Sequence, residues 1–125
     1  MRFARWVFTI AGVWGVLLIG PLFFLEDRMA GARGPFSHPE HYYGFLGVTF
    51  AWQLVYLVIG RDPAAYRPIM LLGALGKTAF FAGVWALHAQ GRTPIEVAAL
   101  ASPDIVFAAL FVAAWRATRP RAGSP

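Results

Sequence analysis

A chain of 125 residues is long enough for one domain, and with 14% charged residues it falls well below the ~25% of a soluble domain. Eleven Lys and Arg against six Asp and Glu give +5, but the basic residues sit at the ends of apolar runs, which marks membrane orientation rather than a nucleic-acid footprint. Cysteine is absent, so disulfides, thiolate metal sites and thiol nucleophiles are excluded.

Four apolar stretches follow in chain order: Phe3 to Leu25, Tyr42 to Ile59, Ile69 to His88 and Ile95 to Trp115. Each approaches the ~20 residues that carry a helix across ~30 Å of hydrocarbon, and none shows the alternation of a barrel strand. The first run exceeds the ~7–15 residues of a signal h-region, and the small-residue site Ala30-Gly31-Ala32 lies beyond its end, so a retained span is expected. The sequence therefore predicts an all-α, four-helix antiparallel transmembrane bundle over residues 1–116, with a flexible cytoplasmic tail over 117–125.

Local signals refine the boundaries. Ser37-His38-Pro39-Glu40 places the second helix start near His38, above its apolar stretch. Asp62-Pro63 suits a short turn, and Pro68 the first turn of the third span. Thr93-Pro94-Ile95-Glu96 reads as a capping box that opens the fourth. The short second and third connections predict antiparallel packing of the spans they join. Small-xxx-small pairs at Ala11/Gly15, Ala74/Thr78, Ala79/Gly83 and Ala109/Ala113 predict packing faces.

With the N-terminus inside, the inner flanks hold Arg2, Arg5, Arg61, Arg67, Arg116, Arg119 and Arg121, against Arg28, Arg33 and Arg92 outside. That asymmetry predicts a multi-pass protein of the bacterial cytoplasmic membrane with both ends cytoplasmic. The expected partners are the lipid bilayer and a second copy or another membrane protein, with no nucleic acid and no cofactor.

Charge at the bilayer centre is the most informative feature, because each such side chain costs ~2.5–3.5 kcal/mol even on insertion scales. Lys77 and Asp104 are placed there on consecutive antiparallel spans, and they are expected to pair. Tyr42, Thr49, Gln53, Tyr56 and Gly60 form a polar stripe on the second span, from which Gln53 could reach the pair. Pro103 is expected to kink the fourth span beside Asp104 by freeing the carbonyl of Ala99. The same pair could instead be a structural salt bridge fixing helix register, or Lys77 could snorkel to an interface. In the first connection His38 and His41, at i and i+3, could share a divalent ion with Glu40, and His88 could approach that region.

The run Gly60-Arg61-Asp62-Pro63, then Tyr66-Arg67-Pro68 and the following Lys77, resembles small bacterial four-helix membrane proteins recorded without an assigned activity. The similarity covers residues 42–115 and implies the four-span architecture but no chemistry. In size and span count the chain is also similar to DoxX-like proteins. Two functions are compatible with these residues. An accessory or assembly role without catalysis comes first. The rival is binding or transport of a small molecule, ion or lipid headgroup at Thr49, Gln53, Tyr56, Lys77 and Asp104.

Overall fold

Four helical spans of 23 residues each, Arg2–Phe24, Pro39–Arg61, Arg67–Ala89 and Ile95–Ala117, lie where hydropathy puts them. The computed structural model describes residues 2–31 and 34–120, so Arg33 and Arg121, one from the outer and one from the inner flanks, lie outside the described residues. The fold is an all-α four-helix bundle with no strand among the described residues. The first span is α1, Arg2–Ile19, continued by a 3₁₀ turn over Gly20–Phe24, where Pro21 removes an amide donor. A short α2, Glu26–Ala30, follows, then α3, Pro39–Arg61, and α4, Arg67–Ala89. The fourth span is divided into α5, Ile95–Ala101, and α6, Pro103–Ala117.

Only 28–33% of each span is buried, and the outward residues are large and apolar, among them Trp6, Leu17, Leu75, Leu100 and Val106. A surface of that kind is compatible with a multi-pass membrane protein, because water would not tolerate it.

The core is aromatic at its centre. Phe8 of α1 stacks on Phe111 of α6 at 4.3 Å, and Tyr56 of α3 closes on Phe111 at 4.9 Å. Gly73 of α4 makes room for them, since a Cβ there would lie 3.0 Å from Tyr56 and 3.3 Å from Phe111. Helix α1 packs closely on α3, as α4 does on α6, and α1 also meets α6. Helices α3 and α4 touch little, although the turn after Asp62 joins them directly. The two spans are joined by a short turn, as expected, but their contact is sparse. Phe45, Trp52 and Phe80 line the gap between the two helices, and Phe45 and Phe80 stack across it at 5.8 Å.

Small residues seal the α1–α3 interface. A Cβ on Gly12 would meet Leu57 at 2.6 Å, and one on Gly60 would meet Thr9 Oγ1 at 2.6 Å. Of the expected small-residue pairs, Ala11/Gly15 is buried here, whereas Ala79/Gly83 and Ala109/Ala113 face outward. On α6 the buried small positions are Ala108 and Ala114, set by the side of the helix that Phe111 occupies.

Helix starts fall close to expectation, but the capping bonds differ. His38 is the N-cap of α3 with no side-chain cap bond. The N-cap of α5 is Pro94 in extended conformation, so Thr93 lies outside the helix with its hydroxyl buried and unpaired. The turn before it explains the shift. Gly91 at φ 74 ends α4, its amide bonding to the His88 carbonyl at 2.9 Å and that of Arg92 to the Leu87 carbonyl at 2.9 Å. His88 Nδ1 then meets the Thr93 carbonyl at 2.9 Å, which holds that residue back from the helix. Thr93→Val is therefore expected to change thermal stability by under about 0.5 kcal/mol, where a working cap would lose ~1. Thermal unfolding in detergent measures it, and a full cap-sized loss would contradict this geometry.

Thr118, which the sequence assigned to the tail, is buried beneath α6, its hydroxyl donating to the Ala114 carbonyl at 2.9 Å.

Candidate functional site

Lys77 is the eleventh of the 23 residues of α4, which at 1.5 Å per residue places it ~15 Å from either end. Asp104 is the tenth residue of Ile95–Ala117, so the two reach similar depth from opposite directions. Pro103 determines how Asp104 is presented. With no amide at 103 the helix breaks at Ser102, whose own amide turns to the Ala99 carbonyl at 3.2 Å. The Ser102 hydroxyl donates to the Ala98 carbonyl at 2.9 Å and accepts from Trp85 Nε1 at 3.2 Å. The break thus leaves no loose carbonyl at either position. It also puts Asp104 in the first turn of α6, where the helix dipole favours a carboxylate.

Lys77 Nζ donates to Asp104 Oδ1 at 3.3 Å, with the two side chains 9% and 19% exposed. Lys77 therefore does not snorkel. The contact is single and longer than the ~2.7–2.9 Å of a tight charge-assisted bond. Two rings flank the ammonium, Tyr56 at 5.4 Å and Phe107 at 5.3 Å, both within the ~6 Å of a cation–π contact.

Beside this pair lies a cavity of about 410 Å³ between α3 and α4. Thr49, Gln53, Tyr56, Lys77 and Asp104, the five residues expected to form a polar cluster, all line it. Its remaining wall is apolar: Phe45, Val48 and Trp52 from α3, and Leu72, Leu75, Gly76, Ala79 and Phe80 from α4. Phe45 and Phe80 stack across the seam at 5.8 Å, towards the end of the bundle that carries His38. The rim residues Val48 and Leu75 are 64% and 66% exposed, so the cavity opens sideways, where lipid chains would lie.

Gln53 does not join the pair. Its Nε2 donates to the Thr49 carbonyl at 2.8 Å, while Oε1 is buried without a partner against Gly15. The reason is α1: Gly15 leaves a recess that the carboxamide fills, a contact between distant segments. Sequence reasoning also missed Phe107, Trp52 and Phe80. Phe107 follows Asp104 by three and Phe80 follows Lys77 by three, so helical spacing from the two charges was the available signal.

A more open apolar depression of about 540 Å³, lined by Trp14, Ala99, Pro103 and Val106 among others, carries no charged group. At the N-terminus of α3 the donor atoms of His38, Glu40 and His41 lie within 4.8 Å of one another, all exposed. Two imidazoles and a carboxylate form a set that a divalent transition ion could take. His38 Nδ1 lies 3.0 Å from Glu40 Oε1, and the two imidazoles stack at 4.9 Å. His88 is not in this group, its Nδ1 lying 2.9 Å from the Thr93 carbonyl, and nearby Glu26 accepts from the Tyr43 hydroxyl at 2.8 Å. No protein-family model, curated protein or solved structure matches the chain.

Proposed function

We propose that this protein binds an amphipathic small molecule drawn sideways from the bilayer into the cavity between α3 and α4. The observation that carries this reading is the cavity itself, which joins an apolar wall open at its rim to a buried Lys77–Asp104 pair. A pair serving register alone needs no space beside it. The volume of about 410 Å³ falls within the ~300–1,000 Å³ usual for small-molecule sites. In this reading both ends of the chain are cytoplasmic in a bacterial inner membrane. Support comes from the arginines gathered at one end of the bundle, where Arg5 donates to the Arg61 carbonyl at 2.8 Å and Arg67 to that of Trp115 at 3.0 Å.

Gly76 supplies the test. It lines the cavity, and a Cβ there meets nothing within 4 Å, so a side chain can be added at this position, and Gly76→Phe is expected to occupy the space. Native mass spectrometry of protein released from its own membrane is expected to show a bound small molecule in wild type and none in Gly76→Phe, at similar thermal stability. An identical set of bound species in both proteins would refute a cavity ligand.

A second reading, an accessory role in assembly, is supported by Gly44, Gly47 and Gly83, which open onto empty space on the outer faces of α3 and α4. Cross-linking in membranes tests it, with loss of oligomer in Gly83→Leu as the expected result.

A further inference from the structure

We infer that the head group taken by the α3–α4 cavity is uncharged and carries a hydrogen-bond acceptor, as a carbonyl or ester does. The inference rests on reading that cavity as a binding site, and it follows from the charge, donors and depth found there.

Charge comes first. Lys77 and Asp104 already neutralise one another, and no other Asp, Glu, Lys, Arg or His lines the space among the described residues. An anionic head would compete with Asp104 for the ammonium and leave one carboxylate uncompensated. A cationic head would do the same to Lys77. Either outcome strands a charge in a region of low dielectric, where an unpaired ion is strongly disfavoured.

Donors come next. The Lys77 ammonium carries three N–H groups, of which Asp104 takes one at 3.3 Å. The Tyr56 hydroxyl makes no hydrogen bond among the described residues, although Tyr56 lines the cavity. Rings flank the ammonium at 5.3 and 5.4 Å as cation–π partners, which leaves room for an oxygen acceptor. A carbonyl oxygen placed here gains donors without disturbing the ion pair.

Lys77 sits ~15 Å from either end of α4, beyond the reach of a charged head that stays in the interface. A neutral head moves through hydrocarbon with its chain and can arrive through the sideways opening between Val48 and Leu75.

Three probes with one chain and different heads test this: methyl dodecanoate, dodecanesulfonate and dodecylammonium. Each is offered to wild type and to Gly76→Phe in lipid nanodiscs, and retention is read by native mass spectrometry. Wild type is expected to retain the ester about tenfold over either charged probe, and Gly76→Phe to lose that excess. Equal or stronger retention of a charged probe, lost in Gly76→Phe, would overturn the neutral head while leaving the cavity as a site. Retention of all three unchanged by Gly76→Phe would overturn the site, and the head-group inference with it.

Discussion

Replacing Asp104 with leucine is expected to destabilise the bundle by about 3–5 kcal/mol, because Lys77 is then a buried cation with no partner. Lys77→Met should cost a comparable amount by stranding the carboxylate. The double variant Lys77→Met/Asp104→Leu is the informative one. With both charges gone and similar volumes in place, stability should return to near wild type, since a buried pair offers little net gain over apolar packing. Reversible unfolding in mixed micelles measures all three. A double variant as unstable as the worse single would mean that the pair is not the unit that matters. The same double variant separates stability from binding: it restores the fold but removes the polar end of the α3–α4 cavity, so a bound molecule with a polar head should be lost.

The second large effect is expected at Gly15. A Cβ there would overlap the carboxamide of Gln53, so Gly15→Ala forces Gln53 out of its recess and should cost about 1–3 kcal/mol. Truncating the obstacle should restore it. In Gly15→Ala/Gln53→Ala the methyl enters the vacated space, and the two substitutions should couple by roughly 0.5–3 kcal/mol. Gly83→Ala is the control, since that position faces open space and an alanine there gains up to ~1 kcal/mol of helix propensity. Strict additivity of the Gly15 and Gln53 variants would show that the contact carries no energy.

How much of this was legible before the structure follows from the range of each interaction. The spans were legible because a helix in lipid must be predominantly apolar over about twenty residues, and the chain meets that condition four times. Pairing of Lys77 with Asp104 was legible because two charges at one depth on adjoining spans have few alternatives. The break at Ser102 was legible from Pro103, a purely local cause, though not the way the Ser102 hydroxyl takes over the carbonyl of Ala98. Contacts between distant segments were not legible. Nothing near Gln53 in sequence says that Gly15 will receive it. Nothing at Thr93 says that a glycine turn at 91 and the imidazole of His88 will hold it outside the helix. The cavity belongs to this second class. Its polar residues could be picked out one by one, but the space itself depends on α3 and α4 standing apart while each packs closely on another partner.

That arrangement bears on how the chain assembles. The two extensive interfaces, α1 with α3 and α4 with α6, each join segments adjacent in the order of synthesis, so the protein is made as two successive helical hairpins. Each can close as soon as its second helix enters the membrane, through contacts between successive spans that favour rapid association. Docking of one hairpin on the other, α1 against α6 and Tyr56 of α3 against Gly73 and Phe111, then remains as the long-range step, the closing of a book along its spine. The two free edges meet last and least. A site placed at those edges can admit a guest without breaking either hairpin.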